Sequence, residues 1–162
     1  GVTGVQTCAL PILREIEVIN ELARAGVIVP KIVYGNATKV NGEWRALLIT
    51  EDMKGFVSIE EWYKQHAVTP YPDEVRDAML NAVALAFKKM HSVNRQHGCC
   101  YVRHIYVKTE GTVEAGFLDL EKSRRRLRRH KAAHHDFSQL EKYLSPIPKA
   151  DWEQVKAYYY AL

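Results

Sequence analysis

The spacing of hydrophobic and polar positions changes several times along this chain, and each change marks an element. Leu13 to Ala25 carries Ile16, Ile19, Leu22 and Ala23 at helical spacing, and Gly26 follows as a C-terminal stop. Pro30 blocks any continuation of the helix, and Ile28 to Tyr34 turns strand-like. Thr38-Lys39-Val40 and Glu43-Trp44-Arg45-Ala46-Leu47 flank Asn41-Gly42, the signature of a two-residue hairpin turn. The second strand runs on through Leu47-Leu48-Ile49-Thr50, an apolar run that predicts burial on both faces. It ends in Glu51-Asp52-Met53-Lys54-Gly55.

Ser58-Ile59-Glu60-Glu61 reads as a capping box opening a short helix to about Gln65, and Pro70 and Pro72 break the linker after it. A long helix is predicted from Asp73 to about Asn94. Its stripe of Val75, Met79, Val83, Phe87 and Met90 is core rather than a cofactor box. The chain then enters a polar loop, His97 to Arg103. Next come an alternating His104-Ile105-Tyr106-Val107, a turn containing Gly111, and a strand-like Val113 to Leu118 that ends on Asp119. This is a β-hairpin with a functional loop before its first strand and a carboxylate at the end of its second. Asp136 is expected to start a further helix. Pro146 and Pro148 break the chain, and Asp151 is expected to cap a last helix bearing Trp152, Val155 and Tyr159.

Composition trims this picture at the front. Val2 to Ile12 matches, residue for residue, the translation of a common sequencing-library adapter, so native sequence is expected to start near Leu13. What remains, about 150 residues, fits one domain. Apolar content of 47% is ordinary for a globular protein, and no run approaches a membrane span or a signal peptide. Apart from Cys8 the cysteines are the adjacent Cys99 and Cys100, no disulfide framework, which points to a reducing cytoplasm. Net charge is only +4, but eight of the ten residues from Lys122 to Lys131 can carry positive charge. Three readings stay open: a solvated or disordered segment, a cradle for an anionic acceptor or anionic membrane surface, and a nucleic-acid contact. Nothing aromatic is interleaved, which disfavours nucleic acid.

A carboxylate on a rigid element, a second ligand nearby and a loop that places a hydroxyl in line suit phosphoryl transfer. Asp119 is the candidate carboxylate and His104 the candidate second ligand. These residues resemble the lipopolysaccharide core kinase family (Kdo and heptose kinases, including its InaA-like branch), an offshoot of the protein-kinase fold. The family's catalytic loop reads roughly His-x-Asp-x-x-x-x-His or Asn, then a hairpin and an Asp-Leu motif followed by basic residues. His97, Cys99 and His104 occupy those loop positions, and Asp119-Leu120 is followed by Lys122, Arg124, Arg125 and Arg126.

The resemblance implies an α+β, protein-kinase-like fold in one domain: a partial N-lobe and hinge over 13–54, and a mainly helical C-lobe over 55–162. It implies ATP and Mg²⁺ as cofactors, Asp119 and His104 as metal ligands, and catalytic roles for His97, Cys99 and Asp119. Glu15, or next Glu17, would be the helix glutamate that pairs with a phosphate-binding lysine. That lysine and the Gly-rich loop would lie upstream of Leu13, which leaves a chain inactive by itself. Glu51 C=O and Met53 N–H would meet the adenine edge. Lys122, Arg124, Arg125 and Arg126 would bind a phosphorylated sugar or lipopolysaccharide precursor, with peripheral contact to an anionic membrane. Asp136 would anchor the activation segment. Cys99 stands where the family has its loop Asp, a base worth roughly 10²–10⁴-fold in rate. The alternative is therefore a pseudokinase that binds nucleotide or a partner without turnover. Zinc is the rival for the His and Cys residues, but adjacent Cys99 and Cys100 would point to opposite faces.

Overall fold

A computed structural model describes the backbone of residues 5–6 and all of residues 9–162. The adapter-like segment lies partly outside the described residues. Its described parts are a short strand β1 (Val5–Gln6) and the start of helix α1 (Ala9–Arg24). The helix begins ahead of Leu13, and Ala9 and Ile12 are buried along with Val18, Ile19 and Leu22. Apolar residues at these positions continue the same helical face, so the packing extends it.

Strands β2 (Ile32–Val40) and β3 (Glu43–Thr50) form the expected hairpin. Val40 pairs with Glu43, and Asn41 and Gly42 take φ of 51° and 83°, as a tight type I′ turn requires. β1 pairs along the other edge of β3. Two expectations change here. The strand starts at Ile32 rather than Ile28, because Pro30 interrupts the ladder; Ile28 makes only an isolated parallel bridge to Gly116. Moreover, β3 is not buried on both faces. Ala46 and Leu48 are buried, while Leu47 and Ile49 are half-buried, since α1 packs over one face of the sheet.

The chain then crosses to a second sheet through β4 (Val57–Ser58). Ser58 Oγ accepts the Glu61 N–H at 3.1 Å and caps α2 (Ile59–His66). The Glu61 carboxylate turns to Gln65 Nε2 at 3.0 Å, so only the serine half of the box forms. Helix α3 (Asp73–Ser92) buries Met79, Val83, Phe87 and Met90 of the stripe read from the sequence, while Val75, in its first turn, is only half-buried. A two-residue strand β5 (Arg95–Gln96) follows, then the loop, a single 3-10 turn (Val102–His104), and the ribbon β6 (Ile105–Lys108) and β7 (Glu114–Phe117). The second sheet has order β4-β6-β7.

After Asp119 the chain forms β8 (Arg124–Arg125), which pairs with β5, then α4 (Arg129–Lys142) and α5 (Lys149–Ala161). Phe87 is the centre of the core. Its ring meets Phe117 of β7 at 4.9 Å, Phe137 of α4 at 5.3 Å and Trp152 of α5 at 6.3 Å. Such aromatic edges fix the last residue of β7 against the helices. A second clamp is Gly116. A Cβ there would lie 2.3 Å from Ile28 O, which also accepts the Phe117 N–H at 3.0 Å. Only glycine permits that approach.

Asp136, expected as an N-cap or first-turn acid, and Asp151, expected as a cap, sit elsewhere. Asp136 lies in the middle of α4, fully buried, because the helix starts seven residues earlier, at Arg129. Asp151 lies in the first turn of α5, whose N-cap position is Pro148. It is buried there and accepts the Tyr63 hydroxyl at 2.6 Å. Among the described residues no helix is long and apolar enough to cross a membrane.

Candidate functional site

Where β7 ends, two histidines take hold of the backbone on either side of Leu118. His97 is fully buried and donates from Nε2 to Leu118 O at 2.9 Å, while its Nδ1 accepts the Cys99 N–H at 3.3 Å. Burial holds its pKa down, to about 4, so the ring is neutral and the tautomer follows from these two partners. The Leu118 N–H donates to His104 O at 3.0 Å, and the two imidazoles stack with 6.0 Å between centroids and 7° between planes. The next residue, Asp119, adopts φ 58°. This left-handed conformation is one that Asp tolerates better than most side chains, and it turns the carboxylate outward, 43% exposed.

His104 sits in the 3-10 turn, one residue before β6, rather than in the strand as its alternating pattern suggested. The turn bond from His104 N–H to Tyr101 O, 2.9 Å, ends just there. A carbonyl can only accept, so the 2.7 Å contact between His104 Nδ1 and Cys99 O puts the proton on Nδ1. Nε2 then faces Asp119 Oδ2 at 3.2 Å and accepts from Arg103 Nε at 3.2 Å. The half-buried Cys99 thiol completes the group. One ligand atom from each of Cys99, His104 and Asp119 lies within 4.8 Å of the others. Burial, then the neighbouring Asp119 charge, pushes the Cys99 thiol pKa up, so it is no general base at neutral pH.

The loop is held from beneath by Asp136. Its carboxylate accepts the His97 N–H at 2.7 Å, the Gly98 N–H at 3.3 Å, His91 Nε2 at 3.0 Å and His135 Nδ1 at 3.3 Å. Burial raises its pKa, but the bonds from His135, His91 and His97 outweigh that and leave it at about 2. His91 Nδ1 continues to Tyr159 OH at 3.0 Å, and Gln139 Oε1 accepts the Cys100 N–H at 2.7 Å. Gly98 explains how close the layers come: a Cβ there would sit 2.1 Å from Lys122 O, and φ is 82°. Sequence reading missed His91 and Gln139. The signal for His91 was a histidine on the apolar stripe, four residues after Phe87; Gln139 carried none.

The remaining candidates divide. Glu15 comes to the site. Burial raises its pKa, a hydrogen bond from the Leu120 backbone lowers it, and Asp119 and Glu121 raise it further. Glu17 is exposed and only 3.9 Å from Arg95. Glu21, not singled out from sequence, is the ion-pairing glutamate of α1, at 2.7 Å from both Arg95 and Arg125. Glu51 pairs at the surface with Lys31 at 2.9 Å. Among the described residues the hydrogen bonds of this turn engage Glu51 N–H and Met53 C=O, not Glu51 C=O or Met53 N–H.

The basic run is ordered and partly spent on structure. Arg125 goes to Glu21, Arg126 bonds Asn94 O through its N–H and Gln96 through its side chain, and the Lys122 carbonyl packs on Gly98. Lys122 and Arg124, with Arg14 and Arg95, line a cavity of about 580 Å³ that also holds Glu17 and Glu121.

Comparisons with known proteins bear on the family and the fold. The model described as "Lipopolysaccharide kinase (Kdo/WaaP) family" matches residues 7–159. The chain is 81% identical over 151 residues to "Protein InaA" of Escherichia coli K12, covering 93% of this chain and 70% of that protein. It is 27% identical over 113 residues to the lipopolysaccharide core heptose(I) kinase WaaP of Pseudomonas aeruginosa, covering 67% of this chain and 42% of that protein. The Escherichia coli K12 protein of the same name is 28% identical over 123 residues, covering 70% and 46%. The chain thus spans less than half of those two kinases. A solved structure titled "WaaP in complex with acyl carrier protein" shares the fold with a TM-score of 0.76 at 20% identity, covering 94% of this chain and 67% of that one.

Proposed function

The chain belongs to the lipopolysaccharide kinase (Kdo/WaaP) family, and its fold is α+β and protein-kinase-like; from there we propose that it is the core of an ATP-dependent phosphotransferase whose acceptor is an inner-core sugar of lipopolysaccharide. One observation carries this reading. Asp119 is thrown outward just past the end of a buried ribbon, and the Leu118 carbonyl before it is gripped by His97.

In this proposal Asp119 holds the magnesium of a Mg–nucleotide. Mg²⁺ prefers oxygen and commonly takes one or two carboxylates, phosphate oxygens and water, and Asp119 fits that role. The nitrogen of His104 and the sulfur of Cys99 do not. When bound, the metal neutralises charge on the transferring phosphoryl group. His104 then works as a hydrogen-bonding residue that locks the Cys99 carbonyl and flanks Asp119. His97 shapes the loop on which the acceptor hydroxyl would lie. Glu51 C=O and Met53 N–H are left for an adenine edge. Lys122 and Arg124 supply positive potential for a phosphorylated acceptor, while Arg125 and Arg126 order the segment. The same face suits peripheral contact with anionic lipid on the cytoplasmic side of a membrane.

The alternative, nucleotide binding without turnover, draws on the protonated Cys99 where a base would stand. Both readings are tested on a full-length protein carrying this chain, by Mg-ATP binding and by phosphate transfer to lipopolysaccharide precursors. Binding with transfer supports the kinase, and binding without transfer supports the pseudokinase. No nucleotide binding at all overturns both.

A further inference from the structure

We propose that Cys99 Sγ, His104 Nε2 and the Asp119 carboxylate form a chelate for a divalent ion of the zinc class, with water in the fourth position. Their donor atoms already lie within 4.8 Å of one another, and His104 Nε2 is 3.2 Å from Asp119 Oδ2. Ligands of a tetrahedral zinc ion, each about 2.0–2.3 Å from the metal, stand roughly 3.3–3.7 Å apart. The pair is therefore at ligating separation, and a rotation of the thiol closes the third edge.

The donor set is one thiolate, one imidazole and one carboxylate. Sulfur and nitrogen select borderline ions over Mg²⁺ and Ca²⁺. A three-ligand site with an open fourth position is a familiar zinc arrangement. The tautomer is also prepared: Nδ1–H donates to Cys99 O at 2.7 Å, which aims the Nε2 lone pair at the Asp119 side. That outer bond is the usual partner of a metal-bound histidine.

Arg103 Nε occupies Nε2 at 3.2 Å in this structure. The side chain is exposed, already lies over the Tyr101 ring at 4.9 Å, and can turn its Nε to water when a metal takes Nε2. On binding, the Cys99 S–H bond breaks, the proton goes to solvent, and a sulfur–metal bond forms with no change of oxidation state. Cys100 takes no part; it is fully buried and outside the group of converging donors. Adjacent Cys99 and Cys100 make a poor pair for zinc, but this site uses Cys99 with residues 5 and 20 positions downstream. The proposal stands on donor geometry; it uses the loop of the phosphotransfer reading, but Asp119 alone is a metal ligand in both.

The experiment is titration of the purified protein with Co²⁺ in a Cys8→Ser background, without nucleotide, followed by absorption. The expected result is one equivalent bound, with a sulfur-to-cobalt charge-transfer band and the visible bands of a tetrahedral ion, reversed by Zn²⁺ but not by millimolar Mg²⁺. Cys99→Ser is expected to abolish the charge-transfer band, His104→Ala to weaken binding at least tenfold, and Cys100→Ala to leave both unchanged. A folded protein that gives no band, a band that survives Cys99→Ser, or displacement by Mg²⁺ at equal concentration overturns the proposal. Mg-ATP binding measured with no transition metal present reports on the phosphotransfer reading alone, so either can fail without the other.

Discussion

Two histidine-centred regions lie back to back in this molecule, and they are built on opposite principles. Behind the loop, Asp136 gathers His91, His135 and the N–H groups of His97 and Gly98, with Asp136, His91 and His97 all fully buried. In front, the donor atoms of Cys99, His104 and Asp119 converge; Asp119 is exposed, and His104 also meets Cys99 O and Arg103 Nε. The rear cluster has its charge matched by hydrogen bonds, so it resists exchange of partners. The front cluster leaves a carboxylate, a lone pair and a thiol facing one small space. Immobilising the loop from behind is what allows a site at the front to keep its donors aimed while staying open.

This contrast is broken most severely at Asp136. Asp136→Ala strands His91 and two backbone N–H groups in the core, and should lower stability by about 3–5 kcal/mol, read by denaturant unfolding. Asp136→Asn, which keeps an acceptor, should cost less. If Asp136→Ala unfolds like an ordinary surface variant, the loop is not held from behind.

Acid sharpens the same point. His97 binds a proton near pH 6.5 when unfolded but only near 4 in the fold. The unfolded state therefore takes up the proton first. Stability is fully present above about 6.5 and falls as pH drops from 6.5 to 4, by ~1.4 kcal/mol per unit and on the order of 3 kcal/mol in all. His97→Gln, able to donate to Leu118 O, should flatten that slope. The Asp136 carboxylate, held at about 2, adds a further loss only as pH falls from about 4 toward 2.

Gly98→Ala tests the seam between the loop and the segment after Asp119. A Cβ 2.1 Å from Lys122 O, at positive φ, should cost roughly 2–3 kcal/mol and shift the thermal midpoint down. At the front, by contrast, His104→Ala should cost only about 1 kcal/mol, since it removes one bond to a backbone carbonyl and strands no buried charge.

How much of this was written in the sequence depends on how local the cause is. The Asn41-Gly42 turn, the Ser58 cap and the α3 stripe follow from neighbours a few residues apart, and each formed where its pattern lay. The ribbon running to Asp119 was legible for the same reason. Asp136 was legible as a residue but not as an element. Its helical start was hidden because Arg128 and Arg129 give no capping signal, and its real work is done on a loop 38 and 39 residues away. Glu21 escaped because its partners, Arg95 and Arg125, meet only once β5 and β8 pair. The Cys99–His104–Asp119 convergence is of that kind too. Spacing along the chain argued against zinc, whereas the ribbon folds the three donors together.

The most direct test of the account is Mg-ATP binding by a full-length protein carrying Asp119→Asn. The account expects the variant to unfold within about 1 kcal/mol of the parent and to lose Mg-dependent nucleotide affinity by at least tenfold. A stable Asp119→Asn protein that binds Mg-ATP as tightly as the parent would contradict it.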